Sequence, residues 1–275
     1  MNKLLAANFM RLKKSKVFYA GLIFMTGFAL LMQLSNYNMM KDGTEISLDA
    51  NFFNAVPFAG IVTAAFSALF IGTEYSDGTI RNKVLVGHKR RDIYFSNLIV
   101  CIVAIFIMYA VHWIVYVAVG APIFGWMHME TKAILLLILC VMLVVMAISS
   151  IFTLIVMLNQ NKAVVSVVSV LLAFILLFTS SYILNRLNEP EYYGGYVMNE
   201  SRQVVKVEPE KNERYISGTT RAVYEFFNDF LPGGQQLQIA SYEVEKPWHL
   251  MGYSASIAVI MTAAGVLLFR KKDLR

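Results

Sequence analysis

The sequence predicts an all-α polytopic membrane protein. It has six transmembrane helices, both termini cytoplasmic, and a small external subdomain between the fifth and sixth spans. Three observations predict this. Hydrophobic residues fill 57% of the 275 positions and charged residues only 15%, against about 25% charged in a soluble domain. The apolar residues gather into six runs long enough to cross a hydrocarbon core, a task that takes about 20 helical residues. The basic residues collect on one side of those runs. Such a chain is not disordered, not a disulfide-stapled secreted domain and not an ordinary cytosolic enzyme.

The elements follow in order. Residues 1–16 predict a basic amphipathic helix at the cytoplasmic interface, because Leu5, Phe9 and Leu12 recur at i, i+4 and i+7 with Lys and Arg on other faces. The spans are residues 17–34, 53–73, 93–119, 133–158, 163–184 and 250–269. The first has no small-residue site after it, so it reads as a retained span and not as a cleaved signal peptide. Residues 35–52 form a polar outside loop. Residues 120–132 form an outside turn with Pro122, Trp126 and His128 at the interface, and residues 159–162 a tight inside turn. Residues 185–247 form the external segment. Within it, residues 219–231 predict a helix with Thr219 or Thr220 as N-cap and Val223, Phe226, Phe227 and Phe230 as its apolar face. Pro232-Gly233-Gly234 reads as its stop, and residues 203–207 as a strand.

Orientation rests on charge. Fifteen of the 24 Lys and Arg residues lie before span one, between two and three, between four and five, or after six, where the acids are only Glu74, Asp77, Asp92 and Asp273. Lys and Arg mark the cytoplasmic side, so both termini are inside and the number of spans is even. The net charge of +6 therefore belongs beside anionic lipid, and nucleic acid is not a partner.

Catalytic signatures are missing. The chain carries no phosphate-binding G-x-x-x-x-G-K-[ST], no H-E-x-x-H and no G-x-S-x-G. No metal site or cofactor is expected, and no pair of carboxylates lies within the spans. Cys101 and Cys140 fall in separate spans and read as buried thiols. His112 is the one ionisable group at depth within the predicted spans; its neighbours Tyr109, Trp113 and Tyr116 favour an interfacial aromatic belt over a proton relay.

The inside loop, residues 74–92, is the informative segment. Asp77-Gly78 suits a turn, Thr79 caps a short helix over residues 80–86, and Gly87 ends it. Ile80 and Val84 share one face, while Arg81, Asn82 and Lys83 point elsewhere. By pattern alone such a helix either rests at the interface or acts as a lever against a soluble partner.

The loop resembles the first intracellular loop of type-2 ATP-binding-cassette (ABC) exporter permeases, as found in bacterial peptide and drug exporters. Glu74, Gly78, Thr79, Gly87 and Arg90 carry the likeness. The basic segment before span one and the ending Phe269-Arg270-Lys271-Lys272-Asp273-Leu274 are similar to the same family. His88-Lys89 and the long external segment depart from its usual pattern.

The resemblance implies half of a transport pore in the bacterial plasma membrane. A second permease chain, identical or a sister, completes the pore. Two ABC ATPase subunits bring ATP and Mg, and this chain is not itself an enzyme. Residues 79–86 become the coupling helix, with Ile80, Arg81, Asn82 and Lys83 at the ATPase groove. Glu74 ties span two to that helix, and Arg90 and Arg91 anchor span three at the headgroups. The family's path runs along spans two and five, here Asn54, Phe58, Thr63, Phe66, Thr179 and Ser180. Apolar groups with scattered hydroxyls suit a hydrophobic or amphipathic cargo, such as an antimicrobial peptide or a drug, moved outward. The alternative is a receptor or scaffold that senses an external ligand through residues 185–247 without an ATPase partner.

Overall fold

In hydrocarbon every backbone N–H and C=O must find its partner inside the segment, which leaves an apolar chain the helix. The computed structural model describes residues 1–198 and 204–273, without the side chains of residues 194–198 and 204–207. A short α1 (Asn2–Lys13) leads into α2 (Lys16–Lys41). A 3-10 turn (Val56–Phe58) opens α3 (Ala59–Ser76), and α4 (Thr79–Leu85) follows. Then come α5 (Arg90–Phe124), α6 (Thr131–Leu158) and α7 (Lys162–Leu187). After the antiparallel hairpin β1 (Tyr192–Met198) and β2 (Val204–Lys211) stand α8 (Gly218–Phe230), α9 (Pro232–Ser241) and α10 (Pro247–Lys271).

Six of these helices are long and apolar enough to cross a membrane: α2, α3 with its 3-10 lead-in, α5, α6, α7 and α10. They coincide with the six expected spans. Helix α5, with 35 residues, is about 52 Å long at 1.5 Å per residue, longer than a hydrocarbon core of about 30 Å. The turn into α7 is short because Asn161 caps it, its side chain accepting from the N–H groups of Ala163 at 3.0 Å and Val164 at 3.2 Å.

Both chain ends meet at one end of the bundle. The Met1 amino group lies 4.0 Å from Asp92 at the start of α5, and Lys272 donates to the carbonyl of Met157 at the end of α6, 3.0 Å away. The α3–α5 loop and the α6–α7 turn lie at this same terminal end. Helix α3 is the most enclosed span, its Thr63, Ala64, Phe66, Ser67, Ala68 and Ile71 all buried.

At the far end, neutral polar groups bind the chain to itself. Gln33 donates to the Tyr116 carbonyl at 2.6 Å, Asn36 donates to the Tyr116 hydroxyl at 3.1 Å, and Asn51 donates to Asn36. His112, Tyr109 and Tyr116 are buried inside this region, and His112 Nδ1 lies 3.1 Å from the Met25 carbonyl. His112 and Tyr116 pack between α2 and α5, while the Tyr109 hydroxyl donates to the Ala55 carbonyl at 2.9 Å, before α3. The expected interfacial belt is corrected accordingly: a belt residue faces the headgroups, and these three do not.

The segment 185–247 also departs from expectation. Its helix α8 lies within a residue or so of the predicted range, with Val223, Phe226 and Phe227 exposed along one side. Ser217 occupies the N-cap position in place of Thr219 or Thr220. Pro232-Gly233-Gly234 does not stop the chain there. Pro232 opens a new helix, α9, a position where its fixed φ and missing N–H cost nothing. The strand extends past residue 207 to Lys211, and residue 203 lies outside the described residues.

Helix α9 is packed into the bundle and not set apart in a subdomain. A Cβ on Gly233 would lie 2.7 Å from the Leu176 carbonyl and 2.6 Å from Ser180 Oγ, so only glycine allows α9 this close to α7. Its amides are satisfied: Gln235 donates to the Asp229 carbonyl at 2.7 Å, and Gln238 to the Asn228 carbonyl at 3.0 Å. Replacing Gly233 with Leu is expected to lower stability by about 1–3 kcal/mol through overpacking, read as an earlier thermal transition of the detergent-purified protein. A Gly233→Leu protein as stable as the parent would mean that α9 is not seated on α7.

Candidate functional site

The α3–α5 loop doubles back beneath the bundle at the terminal end. Gly78 has φ 66°, in the left-handed region that glycine enters without a Cβ penalty. It is the N-cap of α4. Thr79 is therefore the first helical residue and makes no side-chain cap, which corrects the expected capping role. Gly87, with φ 94°, ends the helix, and the His88 N–H reaches the Lys83 carbonyl at 3.1 Å.

Helix α4 has two unlike faces. Ile80 is 1% exposed and points into the bundle, with Val84 beside it. Arg81 and Asn82 are exposed, and so are Leu85 at 72% and Val86 at 80%. Lys83 turns inward, away from the face expected to meet a partner.

That inward turn completes a buried ionic knot. Glu74, in the last turn of α3, is 2% exposed. Arg11 of α1 and Lys83 of α4 both pair with its Oε1. Asn97 of α5 donates to its Oε2 at 3.0 Å. Asn8 of α1 donates to Ser96 and Asn97, both at 3.1 Å, and accepts from Lys83 at 3.1 Å. The Arg11 guanidinium also lies 3.8 Å from the centroid of the Phe70 ring. Four separate segments thus meet at one carboxylate. Burial draws the Arg11 and Lys83 pKa values down, and the Glu74 charge opposes that shift. The knot holds two cations against one anion, so removing the anion would leave both cations buried without a counter-charge.

A second clasp lies beside it. Arg90 donates to the carbonyls of Phe269, at 3.2 Å, and Lys272. The expectation that it anchors at the headgroups is corrected: it satisfies the open carbonyls at the C-terminus of α10, where a cation also meets the negative end of the helix dipole. Lys272 donates to Tyr75 and to the Met157 carbonyl, both at 3.0 Å. Burial, with Arg90 adding to it, pushes the Lys272 amine down to about 8.

The expected path residues divide. Phe58 and Thr179 are exposed, and Asn54 is half-buried and donates to Asn51. Thr63, Phe66 and Ser180 are enclosed within the chain, with Phe66 stacked on Phe70 at 5.1 Å and Ser180 beneath Gly233. Helices α3 and α7 do run side by side, joined where Lys162 donates to Thr73 at 2.9 Å.

Sequence reasoning missed Arg11, Asn8, Ser96, Asn97 and Lys272 as members of this site. Two signals were available. Asn8 interrupts the apolar stripe of α1, and Ser96-Asn97 places two polar side chains a turn into an apolar span. A buried polar side chain at such a position requires a partner.

A family model described as ABC-2 family transporter protein matches residues 4–180, a stretch that holds most of α1, all of α2 to α6 and most of α7. The chain belongs to the ABC-2 transporter family. It is a membrane transport permease, and permeases of this family associate with ABC ATPase subunits. No curated protein matches the chain. The match spans the whole ionic knot, because Arg11, Glu74, Lys83 and Asn97 all lie within residues 4–180.

Two predictions follow from these contacts. Glu74→Ala in the permease is expected to cost about 3–5 kcal/mol, the range for removing one partner of a buried pair. Denaturant unfolding of the purified permease tests this, and a loss under about 1 kcal/mol would mean that the cations find water. Lys272 is charged in both folded and unfolded states below pH about 8, so burying its charge opposes folding there. That cost is relieved as pH rises from about 8 towards the ordinary 10.5. Acylation followed by mass spectrometry is expected to label Lys272 with a midpoint near pH 8. A midpoint above about 10, the range of a solvated lysine, would show that the clasp is open.

Proposed function

We propose that this chain is the permease subunit of an ATP-driven exporter in a bacterial plasma membrane, with α4 as its coupling helix. The terminal end faces the cytoplasm, the side that the excess of Lys and Arg favours. Two ATPase subunits hold ATP and Mg and dock against α4. A second permease chain completes the pore. The cargo is hydrophobic or amphipathic, a peptide such as an antimicrobial peptide or a drug, and the exposed Phe58, in the turn before α3, and Thr179 on α7 are the first residues it meets.

One observation carries this reading. The inner face of α4 is bound into the chain through Ile80 and the Lys83–Glu74 pair, while Arg81, Asn82, Leu85 and Val86 are left exposed. A lever needs both properties: a rigid attachment to the moving body and a free face for the partner. Two adjacent apolar residues flanked by polar ones match the core and rim of a protein interface. A helix that merely rested on lipid would have no use for a buried counter-ion to hold it.

The test separates docking from folding. The permease is co-expressed with the ATPase encoded beside it, as parent, Arg81→Glu and Leu85→Asp. Both variants change exposed side chains, so the expected result is an unchanged melting transition with ATPase recovery and vanadate-sensitive ATP hydrolysis reduced about tenfold or more, the loss that a truncated interface anchor brings. Full recovery and full hydrolysis in both variants would rule out α4 as the docking element.

A further inference from the structure

Away from the knot, a groove of about 670 Å³ runs between α5 and α10, with Met146 of α6 in its lining. Phe95, Leu98 and Ile102 form one wall, and Ala263 and Val266 belong to the other. Its lining contains no charged side chain, and Thr262 is its only hydroxyl. Both walls belong to membrane-crossing helices, and Ala263 is exposed, so the groove opens sideways towards lipid.

The same two helix faces end in cations. Arg91 lies four residues before Phe95, and Arg270 four residues after Val266, so each sits one turn beyond the groove on the same face. Lys89, Arg90, Arg91 and Arg270 line a separate cavity of about 360 Å³ with no acid in its lining. Arg90 is committed to backbone carbonyls, but Arg91 and Arg270 are exposed. Arg91 is paired through Nε with its sequence neighbour Asp92 at 3.4 Å, a carboxylate that also faces the Met1 amino group at 4.0 Å.

We infer that this groove holds one anionic phospholipid, with its acyl chains against α5 and α10 and its phosphate on Arg91 and Arg270. The charge favours an anionic headgroup over a zwitterionic one, whose amine would meet the same cations. Guanidinium groups bind phosphate through paired N–H donors. The length fits one leaflet. From Phe95 to Ile102 the wall rises about 10 Å, less than half of a hydrocarbon core of about 30 Å.

Native mass spectrometry of the purified full-length chain, offered equal amounts of phosphatidylglycerol and phosphatidylcholine, tests the inference. The parent is expected to retain one phosphatidylglycerol in preference. Arg91→Gln/Arg270→Gln is expected to weaken that retention roughly 10- to 30-fold, from about 1 kcal/mol per cation near the surface. Arg91→Lys/Arg270→Lys keeps the preference. Ala263→Trp, which fills the groove and leaves both arginines, abolishes it. Size-exclusion profiles confirm that each variant is folded. Equal retention of the two lipids by the parent overturns the inference, and so does a preference that survives the Gln pair. A preference that survives Ala263→Trp, or is lost on adding glycerol phosphate without acyl chains, overturns the groove as its seat.

Discussion

A carboxylate shut away from water at the end of a membrane helix needs cations, and Glu74 takes them from two different parts of the chain. Arg11 comes from a helix that precedes the first span, and Lys83 from the loop after the second. Asn97 then brings in the start of α5. Buried ion pairs add little net stability, because desolvation offsets most of their attraction. Their value here is positional. Each partner is costly to leave alone, so the arrangement of α1, α3, α4 and α5 that brings both cations to the one carboxylate is favoured over any that strands Glu74 or leaves a cation without it.

The far end relies mainly on neutral groups, beside the Asp49 carboxylate, which accepts from the His128 N–H at 2.7 Å. Gln33, Asn36, Asn51 and Tyr116 bind α2, α5 and the intervening loop through amide and hydroxyl bonds. Helix α9 is held by glycine contact and by its own glutamines, with Ser254 of α10 donating to Gln235. Neutral hydrogen bonds between buried groups avoid the large desolvation cost of charge. The two ends therefore differ in kind. One is pinned by charges whose loss leaves ions unpaired, and the other by close packing and many weaker bonds.

The six spans were legible in the sequence because length and hydropathy alone decide what can cross hydrocarbon. The turn at Gly78 and the stop at Gly87 were legible because a left-handed backbone selects glycine. The role expected of Glu74 in tying α3 to α4 came from a family likeness and not from local pattern; in the fold its carboxylate pairs with Lys83. What was not legible depended on distant neighbours. Nothing local in Lys83 says that it turns inward; that follows only once Glu74 and Asn8 stand beside it. Pro232-Gly233-Gly234 has the composition of a stop. It becomes a helix start because α7 offers a surface that only glycine can approach. His112, Tyr109 and Tyr116 have the composition of a belt. Which way they face is set by the packing of α2 on α5, and a single span does not record that.

The placement of Thr63 and Phe66 inside the protein bears on the proposed cycle. They lie on α3, the helix whose last turn carries Glu74. A displacement of α4 would be carried through Lys83 and Glu74 to α3, and through Asn8 to Asn97 of α5. From α3 it would pass through the Lys162–Thr73 contact to α7. These two helices carry four of the expected path residues, Thr63, Phe66, Thr179 and Ser180. An enclosed Thr63 is then consistent with a path that opens by moving α3, since closely packed helices shift as bodies and do not deform continuously. The Arg90 and Lys272 clasp would resist such a displacement. It ties the end of α10 to the start of α5 and to the ends of α3 and α6, so α3 cannot move far at the terminal end without pulling on Tyr75.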